Sequence, residues 1–167
     1  MLYTGDGKGK TTAALGLLFR AAGHGLRCAM VQFIKEKPQR WGEWKTAGKL
    51  GISWFNYGRG FTWKLQDTAP VREEIRLGWQ ETERRILSGS YDLVILDELT
   101  YPLNERWLER EDVETFFRTL PASAPHIVIT GREAPRWLQD CCDLVSEVAD
   151  IRHPFEEGVT AQRGIEF

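Results

Sequence analysis

The chain has 167 residues, of which 42% are hydrophobic and 28% charged, the balance of an ordinary globular protein. At about 150 residues per domain, this length predicts one domain spanning residues 1–167. No apolar run approaches the roughly 18 residues that a membrane span needs, and no signal-peptide pattern opens the chain, so we expect no membrane partner.

The net charge of −2 hides two oppositely charged segments. Residues 1–64 contain 11 Lys and Arg against 3 Asp and Glu, a charge of +8, whereas residues 65–167 carry −10. The overall balance argues against a general polyanion binder, so nucleic acid is not an expected partner. The basic segment is suited to docking a smaller anion, although composition alone favours two solvated surfaces of one domain.

The cysteines indicate a reducing compartment. Cys28, Cys141 and Cys142 fit neither a metal-binding spacing nor a disulfide framework. We therefore expect a cytoplasmic protein.

Short apolar runs alternate with amphipathic stretches along the chain, which predicts a three-layer α/β fold with a mostly parallel central sheet. The predicted strands are 2–4, 27–33, 52–55, 93–96, 127–129 and 144–148. The first strand is expected to be barely long enough to join the sheet. The predicted helices are 11–22, 71–88, 110–119 and 135–140. Two stretches rich in Gly, Lys and Trp, 35–49 and 57–70, are predicted to be long functional loops, and 152–167 has no clear period.

The sharpest local signal is GDGKGKTT at residues 5–12, between a predicted strand and a predicted helix. Glycines let the backbone turn so that N–H groups converge on phosphate oxygens, and the helix N-terminus adds its positive dipole end. Lys10 would neutralise phosphate charge, and the Thr11 hydroxyl would ligate Mg²⁺. The common pattern has its first glycine at the position of Thr4, and here it is Gly5.

The alternative is a glycine-rich turn beside surface lysines, but the strand–loop–helix context favours a phosphate loop and a phosphate-loop NTPase-like fold. The residues predicted to bind the nucleotide are Gly5, Asp6, Gly7, Lys8, Gly9, Lys10, Thr11 and Thr12. Asp6 and Lys8 lie at the crest of the loop, where they could simply be solvated.

A second candidate part of the site is the strand end DLVILDE at residues 92–98. An apolar strand that ends in acids delivers them to the crevice where α/β sheets bind ligands. Asp97 or Glu98 is therefore predicted to hold Mg²⁺, directly or through water, and the alternative is that one caps the next helical turn. Arg132, after the next strand, either faces phosphate or is exposed in a plain turn.

Six segments together give a recognisable pattern that covers most of the chain. They are TGDGKGKTTAALGLLFRAAGHG (4–25), VQFIK (31–35), GFTW (60–63), DLVILDELTYPLN (92–104), IVITGREAP (127–135) and HPFEEGVTAQRGIEF (153–167). With them the chain closely resembles the ATP:corrinoid adenosyltransferases of the cobalamin pathway, in which the shifted first glycine is typical. Related proteins often have an extension of about one helix before the phosphate loop, whereas this chain begins four residues ahead of Gly5.

The resemblance implies that the Co(I) form of a corrinoid attacks C5′ of ATP and displaces triphosphate. The nucleotide would be held in the reverse sense from ordinary phosphate-loop enzymes, exposing the ribose carbon. Lys10, with Mg²⁺ on Thr11 and Glu98, would bind the leaving triphosphate. No protein nucleophile is required, because the reduced cobalt is the nucleophile.

The resemblance also assigns a role to GFTW. It implies that Phe61 and Trp63 close the lower face of the corrin ring and displace its axial ligand, which makes Co(I) easier to form. Helical or strand period alone favours packing for these aromatics, and packing remains the interpretation for Trp41, Trp44, Trp79, Trp107 and Trp137. The histidines, His24, His126 and His153, are interpreted as structural.

The partners implied by the resemblance are ATP, a corrinoid, an electron-donating reductase or flavoprotein, and a second copy in a homodimer. A phosphate loop by itself does not define the reaction. A phosphate-loop ATPase or small-molecule kinase acting on the γ-phosphoryl group is the first alternative. A non-catalytic corrinoid or nucleotide carrier is the second.

Overall fold

A computed structural model describes residues 1–35, 41–58, 60, 67–153 and 158–165. The strands are β1 (Leu2–Thr4), β2 (Cys28–Phe33), β3 (Ser53–Tyr57), β4 (Leu93–Asp97), β5 (His126–Thr130) and β6 (Val145–Glu147). The helices are α1 (Lys10–Gly23), α2 (Gly42–Lys49), α3 (Ala69–Leu87), α4 (Thr100–Asn104), α5 (Arg110–Arg118) and α6 (Arg136–Asp140). No helix in this described part of the chain is long and apolar enough to cross a membrane.

The strands form one sheet in the order β3-β2-β4-β5-β1-β6, and every adjacent pair is parallel. The predicted α/β fold with a parallel sheet is therefore confirmed. Although β1 has only three residues, it pairs on both sides, with Leu2 opposite Ile129 of β5 and Val145 of β6. Because all pairs are parallel, the carboxyl ends of the strands meet at a single edge.

The sheet is covered on both faces because its central strands are apolar on both. All residues of β2 and β4 are buried, and their apolar side chains alternate between two clusters. One cluster joins Val31 and Phe33 to α3, α5 and α6. The other joins Met30 and Ile95 to α1 and α2. The result is the three-layer arrangement predicted from the sequence.

The predicted loop over 35–49 is wrong in its second half, because α2 occupies Gly42–Lys49. Ala47 is the buried residue of this helix, so its sequence has no apolar stripe for a periodicity argument to detect. The short helix α4 was also not predicted, since five residues are too few to show a period. The second predicted loop, 57–70, overlaps α3 at its end, because that helix begins at Ala69.

The structure tests some of the predictions about aromatic residues, and others fall on residues that it does not describe. Trp79 and Trp107 lie in the core with 4% and 8% of their surfaces exposed, which confirms their packing role. Phe61 and Trp63 lie outside the described residues.

Candidate phosphate-binding site

The predicted phosphate loop connects β1 to α1 at the edge where the parallel strands end. β1 ends at Thr4 and α1 begins at Lys10, so the turn is made by residues 5–9. Gly5 and Gly9 have φ angles of 96° and 126°, which residues with a Cβ rarely adopt. The N-terminus of α1 therefore faces the crevice in which parallel α/β sheets bind anions.

The loop packs closely against the chain that follows β6. The backbone N–H of Gly7 donates to the carbonyl of Val148 at 2.8 Å. A Cβ built at Gly7 would lie 2.3 Å from the carbonyl oxygen of Ala149, and one at Gly5 would lie 2.5 Å from that of Val148. These glycines are required by packing as well as by the turn.

Lys10 is folded back over its own loop. Its Nζ donates to the carbonyls of Gly5 and Gly7 at 2.6 and 2.7 Å. Burial, followed by the nearby charge of Arg132, lowers the pKa of Lys10. An ammonium group has three donors, so these two bonds leave a third for a phosphate oxygen.

Asp97 lies beneath the site, with none of its surface exposed. Among the described residues, Thr11 and Thr130 donate to its Oδ1 at 2.8 and 2.6 Å. Gln32 and Lys35 donate to its Oδ2 at 2.9 and 2.6 Å. A carboxylate has about four lone-pair positions, so these donors saturate Asp97. Burial would raise the pKa of Asp97, but the charge and hydrogen bond of Lys35, aided by Thr130 and Gln32, hold it below its usual value.

Glu98 is arranged differently from its neighbour. Its φ of 60° turns the chain away from the line of β4, and its backbone N–H donates to Thr130 Oγ1 at 3.0 Å. Its side chain lines the cavity above the loop, and burial together with the charge of Asp97 raises the pKa of Glu98. Of the two predicted metal-binding acids, Glu98 presents its carboxylate to the cavity, and Asp97 supports the residues around it.

A cavity of about 560 Å³ brings most of the predicted site residues together. Those in its lining are Gly7, Lys8, Gly9, Lys10, Thr11, Thr12, Glu98 and Arg132. Gly5 contributes through its carbonyl bond to Lys10 and does not line the cavity, and the side chain of Asp6 is exposed.

The cavity also contains residues that sequence reasoning did not assign to the site. They are Leu15, Phe19, Lys35, Gly42, Glu43, Thr46, His153, Gly164 and Ile165. Leu15 and Phe19 are four residues apart on α1, a spacing that puts them on one face. The sequence could have indicated Lys35, because it is a lysine two residues after a buried strand. His153, interpreted from the sequence as structural, lies at the cavity wall.

The donor set fits Mg²⁺. The cavity offers the Thr11 hydroxyl and the Glu98 carboxylate, and Mg²⁺ prefers oxygen ligands of this kind. Among the described residues, no group of three or more His, Cys, Asp and Glu could hold a metal ion on its own. Mg²⁺ is usually bound by one or two carboxylates together with substrate phosphates, so a small protein contribution is expected.

Comparison with known proteins gives a match along the whole chain. A family model described as ATP:corrinoid adenosyltransferase BtuR/CobO/CobP matches residues 1–167. A corrinoid adenosyltransferase from Escherichia coli (strain K12) is 39% identical over 171 residues, covering 100% of this chain and 84% of that protein. A corrinoid adenosyltransferase from Sinorhizobium sp and corrinoid adenosyltransferase CobA from Salmonella typhimurium are each 37% identical. Both cover 100% of this chain, and 79% and 84% of their own lengths.

The matched range contains every described residue of the candidate site. They include the phosphate loop, the buried Asp97 and Glu98, whose side chain lines the cavity. This chain therefore belongs to the ATP:corrinoid adenosyltransferase family.

Proposed function

We propose that this chain transfers the 5′-deoxyadenosyl group of ATP to the Co(I) centre of a corrinoid and releases triphosphate, in cobalamin biosynthesis or salvage. The observation that carries the proposal is the family match over residues 1–167 on a chain whose cavity combines a phosphate loop with Glu98. Family membership supplies the reaction, and the cavity supplies the residues that would perform it.

The reaction needs strong binding of an anionic leaving group. The Co(I) electron pair would form the new bond to C5′ of ATP, the bond from C5′ to the triphosphate oxygen would break, and triphosphate would leave with the electron pair of that broken C–O bond. Lys10 would donate its free N–H to the triphosphate, and Arg132 and Lys8 lie in the same cavity lining. Interactions that strengthen as charge develops on the leaving group lower the barrier.

Mg²⁺ would be held by Thr11 and Glu98 and would supply positive charge to the triphosphate as it leaves. The Thr11 hydroxyl donates its proton to Asp97, so its lone pairs remain for the cation. The carboxylate of Glu98, which also lines the cavity, would provide the second oxygen.

The corrinoid part of the site would involve the GFTW segment. We propose that Phe61 and Trp63 close the lower face of the corrin and exclude water from the reducing cobalt centre. An electron-donating reductase or flavoprotein would supply the electron that makes Co(I).

A cytoplasmic homodimer completes the proposal. Support for self-association comes from Ile151, an apolar side chain near the C-terminal end of the described chain with 94% of its surface exposed. Burying such a side chain against a second copy would be favourable. Sedimentation equilibrium of the purified protein tests this part.

The deciding experiment identifies the phosphate product. Under anaerobic conditions, chemically reduced corrinoid and MgATP should give a light-sensitive organocobalt spectrum and intact triphosphate in equal amounts. ADP formed steadily without corrinoid would instead identify a phosphate-loop ATPase or kinase. Recovery of both ligands unchanged would identify a carrier.

A further inference from the structure

The chain makes a strained turn directly after β2. Ile34 has a φ of 62°, and a β-branched residue in this left-handed region is an outlier. Backbone strain of this kind persists only where the surrounding structure imposes it, and it is common at functional sites.

Contacts from the chain after β3 hold the turn in place. A Cβ built at Gly58 would lie 2.5 Å from Ile34 Cα, so only glycine allows the two segments to approach this closely. The N–H of Gly60 donates to the Ile34 carbonyl at 2.9 Å. The N–H of Gly58 is itself bound to Glu74 Oε1 of α3 at 3.2 Å.

The residue placed by this turn is Lys35. Its Nζ lies 2.6 Å from Asp97 Oδ2, although the two residues are 62 positions apart in the chain. Its side chain is 27% exposed and lines the same cavity as Lys10 and Glu98. Lys35 therefore connects the strained turn to the buried carboxylate beneath the candidate site.

The carboxylate of Asp97 is hydrogen-bonded to both Lys35 and Thr11. Its Oδ2 accepts from Lys35 and Gln32, and its Oδ1 accepts from Thr11 and Thr130. The only hydroxyl proton of Thr11 is thus directed at Asp97, which fixes where the lone pairs of that hydroxyl point. A supporting hydrogen bond of this kind sets the orientation of a metal ligand.

We propose that Lys35 is a positioning residue for the divalent cation of MgATP, acting through Asp97 on the hydroxyl of Thr11. Lys35 neutralises Asp97 and occupies one of its oxygens, so that the carboxylate stays beneath the site and its other oxygen orients Thr11. This inference rests on the proposed nucleotide site and adds a residue to it.

The test is ATP binding by calorimetry in the absence of corrinoid, with and without Mg²⁺. Lys35→Met should reduce the enhancement of ATP affinity by Mg²⁺ about 10-fold, the lower end of the effect of removing a direct partner of a metal ligand, because Lys35 acts on Thr11 through Asp97. Its Mg²⁺-free affinity should stay within about threefold of the parent. Lys49→Met, on α2, is the control and should leave both affinities unchanged.

Two further variants test the same contact between Lys35 and Asp97. Gly58→Ala would push against Ile34 and displace the turn that positions Lys35. It should therefore reduce the Mg²⁺ enhancement although the lysine itself is unchanged. If Lys35→Met does not fold, the double variant Lys35→Met with Asp97→Asn removes both charges of the buried pair, and it should lose no more Mg²⁺ enhancement than Asp97→Asn alone, because Lys35 acts through Asp97.

Equal loss of affinity with and without Mg²⁺ would make Lys35 an ordinary phosphate-binding cation and overturn the proposal. Unchanged affinities would overturn it as well. Because corrinoid is absent from the assay, failure here is distinguishable from failure of adenosyl transfer.

Discussion

Gly7 of the phosphate loop lies directly against the carbonyl of Ala149, so close that a Cβ at Gly7 would be 2.3 Å from that oxygen. The segment after β6 thus forms the back of the loop, joined to it by the bond from the Gly7 N–H to Val148. The shape of the loop depends on this chain segment as much as on its own glycines.

Gly7→Ala should therefore disturb the loop before any ligand binds. We expect the free energy of unfolding to fall by about 1–3 kcal/mol, the usual cost of overpacking, and ATP affinity to fall with it. Urea denaturation and calorimetry measure the two effects. Gly16→Ala, on α1 with open space around it, is the control and should raise stability by up to about 1 kcal/mol. Similar behaviour of the two variants would contradict the packing role.

Lys10→Ala should weaken ATP binding and abolish adenosyl transfer. Loss of a charged hydrogen-bond donor costs about 1.5–3 kcal/mol, which corresponds to roughly a tenfold to hundredfold rise in the ATP dissociation constant. Lys49→Ala, on α2, serves as the matched control. An unchanged rate in Lys10→Ala would count against the assigned phosphate loop.

The loss of turnover in Phe61→Ala and Trp63→Ala should depend on the oxidation state of the starting corrinoid. If these aromatics displace the axial ligand, turnover from Co(II) with a reductase should fall far more than turnover from chemically prepared Co(I). Parallel anaerobic assays from the two states make the comparison. Equal losses would indicate that the side chains only pack.

The pair Arg27 and Asp92 predicts a pH dependence of stability away from the site. Arg27 donates to Asp92 from its backbone N–H, Nε and Nη2 at 2.8, 3.0 and 2.7 Å. Its side-chain and backbone hydrogen bonds lower the pKa of Asp92 to about 2. The stabilisation is therefore fully present above the ordinary pKa of 3.8 and is lost as the pH falls through about 2.

Asp92→Asn should accordingly lower the free energy of unfolding at neutral pH, and its difference from the parent should shrink as the pH approaches 2. Denaturation at several pH values measures this difference. An NMR titration of the Asp92 carboxyl gives its pKa directly, and Arg27→Ala should return that pKa toward the ordinary value. A midpoint near 4 in the parent would refute the pairing.

Substitution of Ile75 tests whether α3 packs its apolar face against the sheet. Its side chain is fully buried, so Ile75→Ala should cost about 2–5 kcal/mol of unfolding free energy. Leu77, two residues away, is 48% exposed, and Leu77→Ala should change stability by less than about 1 kcal/mol. Thermal or urea denaturation separates the two. Comparable losses would mean that α3 does not present the face assigned to it.

The sequence determined the elements whose signals are local. The short apolar run 93–96 between turn residues favours a buried strand, and the glycines between that kind of strand and a helix favour a phosphate loop. The stripe through Val71, Ile75 and Trp79 likewise predicted α3 from its period. The sequence did not predict the helix α2, because its one buried residue, an alanine, gives no period to detect.

Only the tertiary structure decided how Asp97 and Glu98 differ. They are adjacent in the chain and chemically alike, so nothing local separates a buried support from a carboxylate that faces the cavity. The distinction comes from donors that are distant in the chain, namely Thr11, Gln32, Lys35 and Thr130. These side chains meet only when the parallel strands bring their carboxyl ends to one edge, and hydrogen bonds across such separations leave no periodic trace in the sequence.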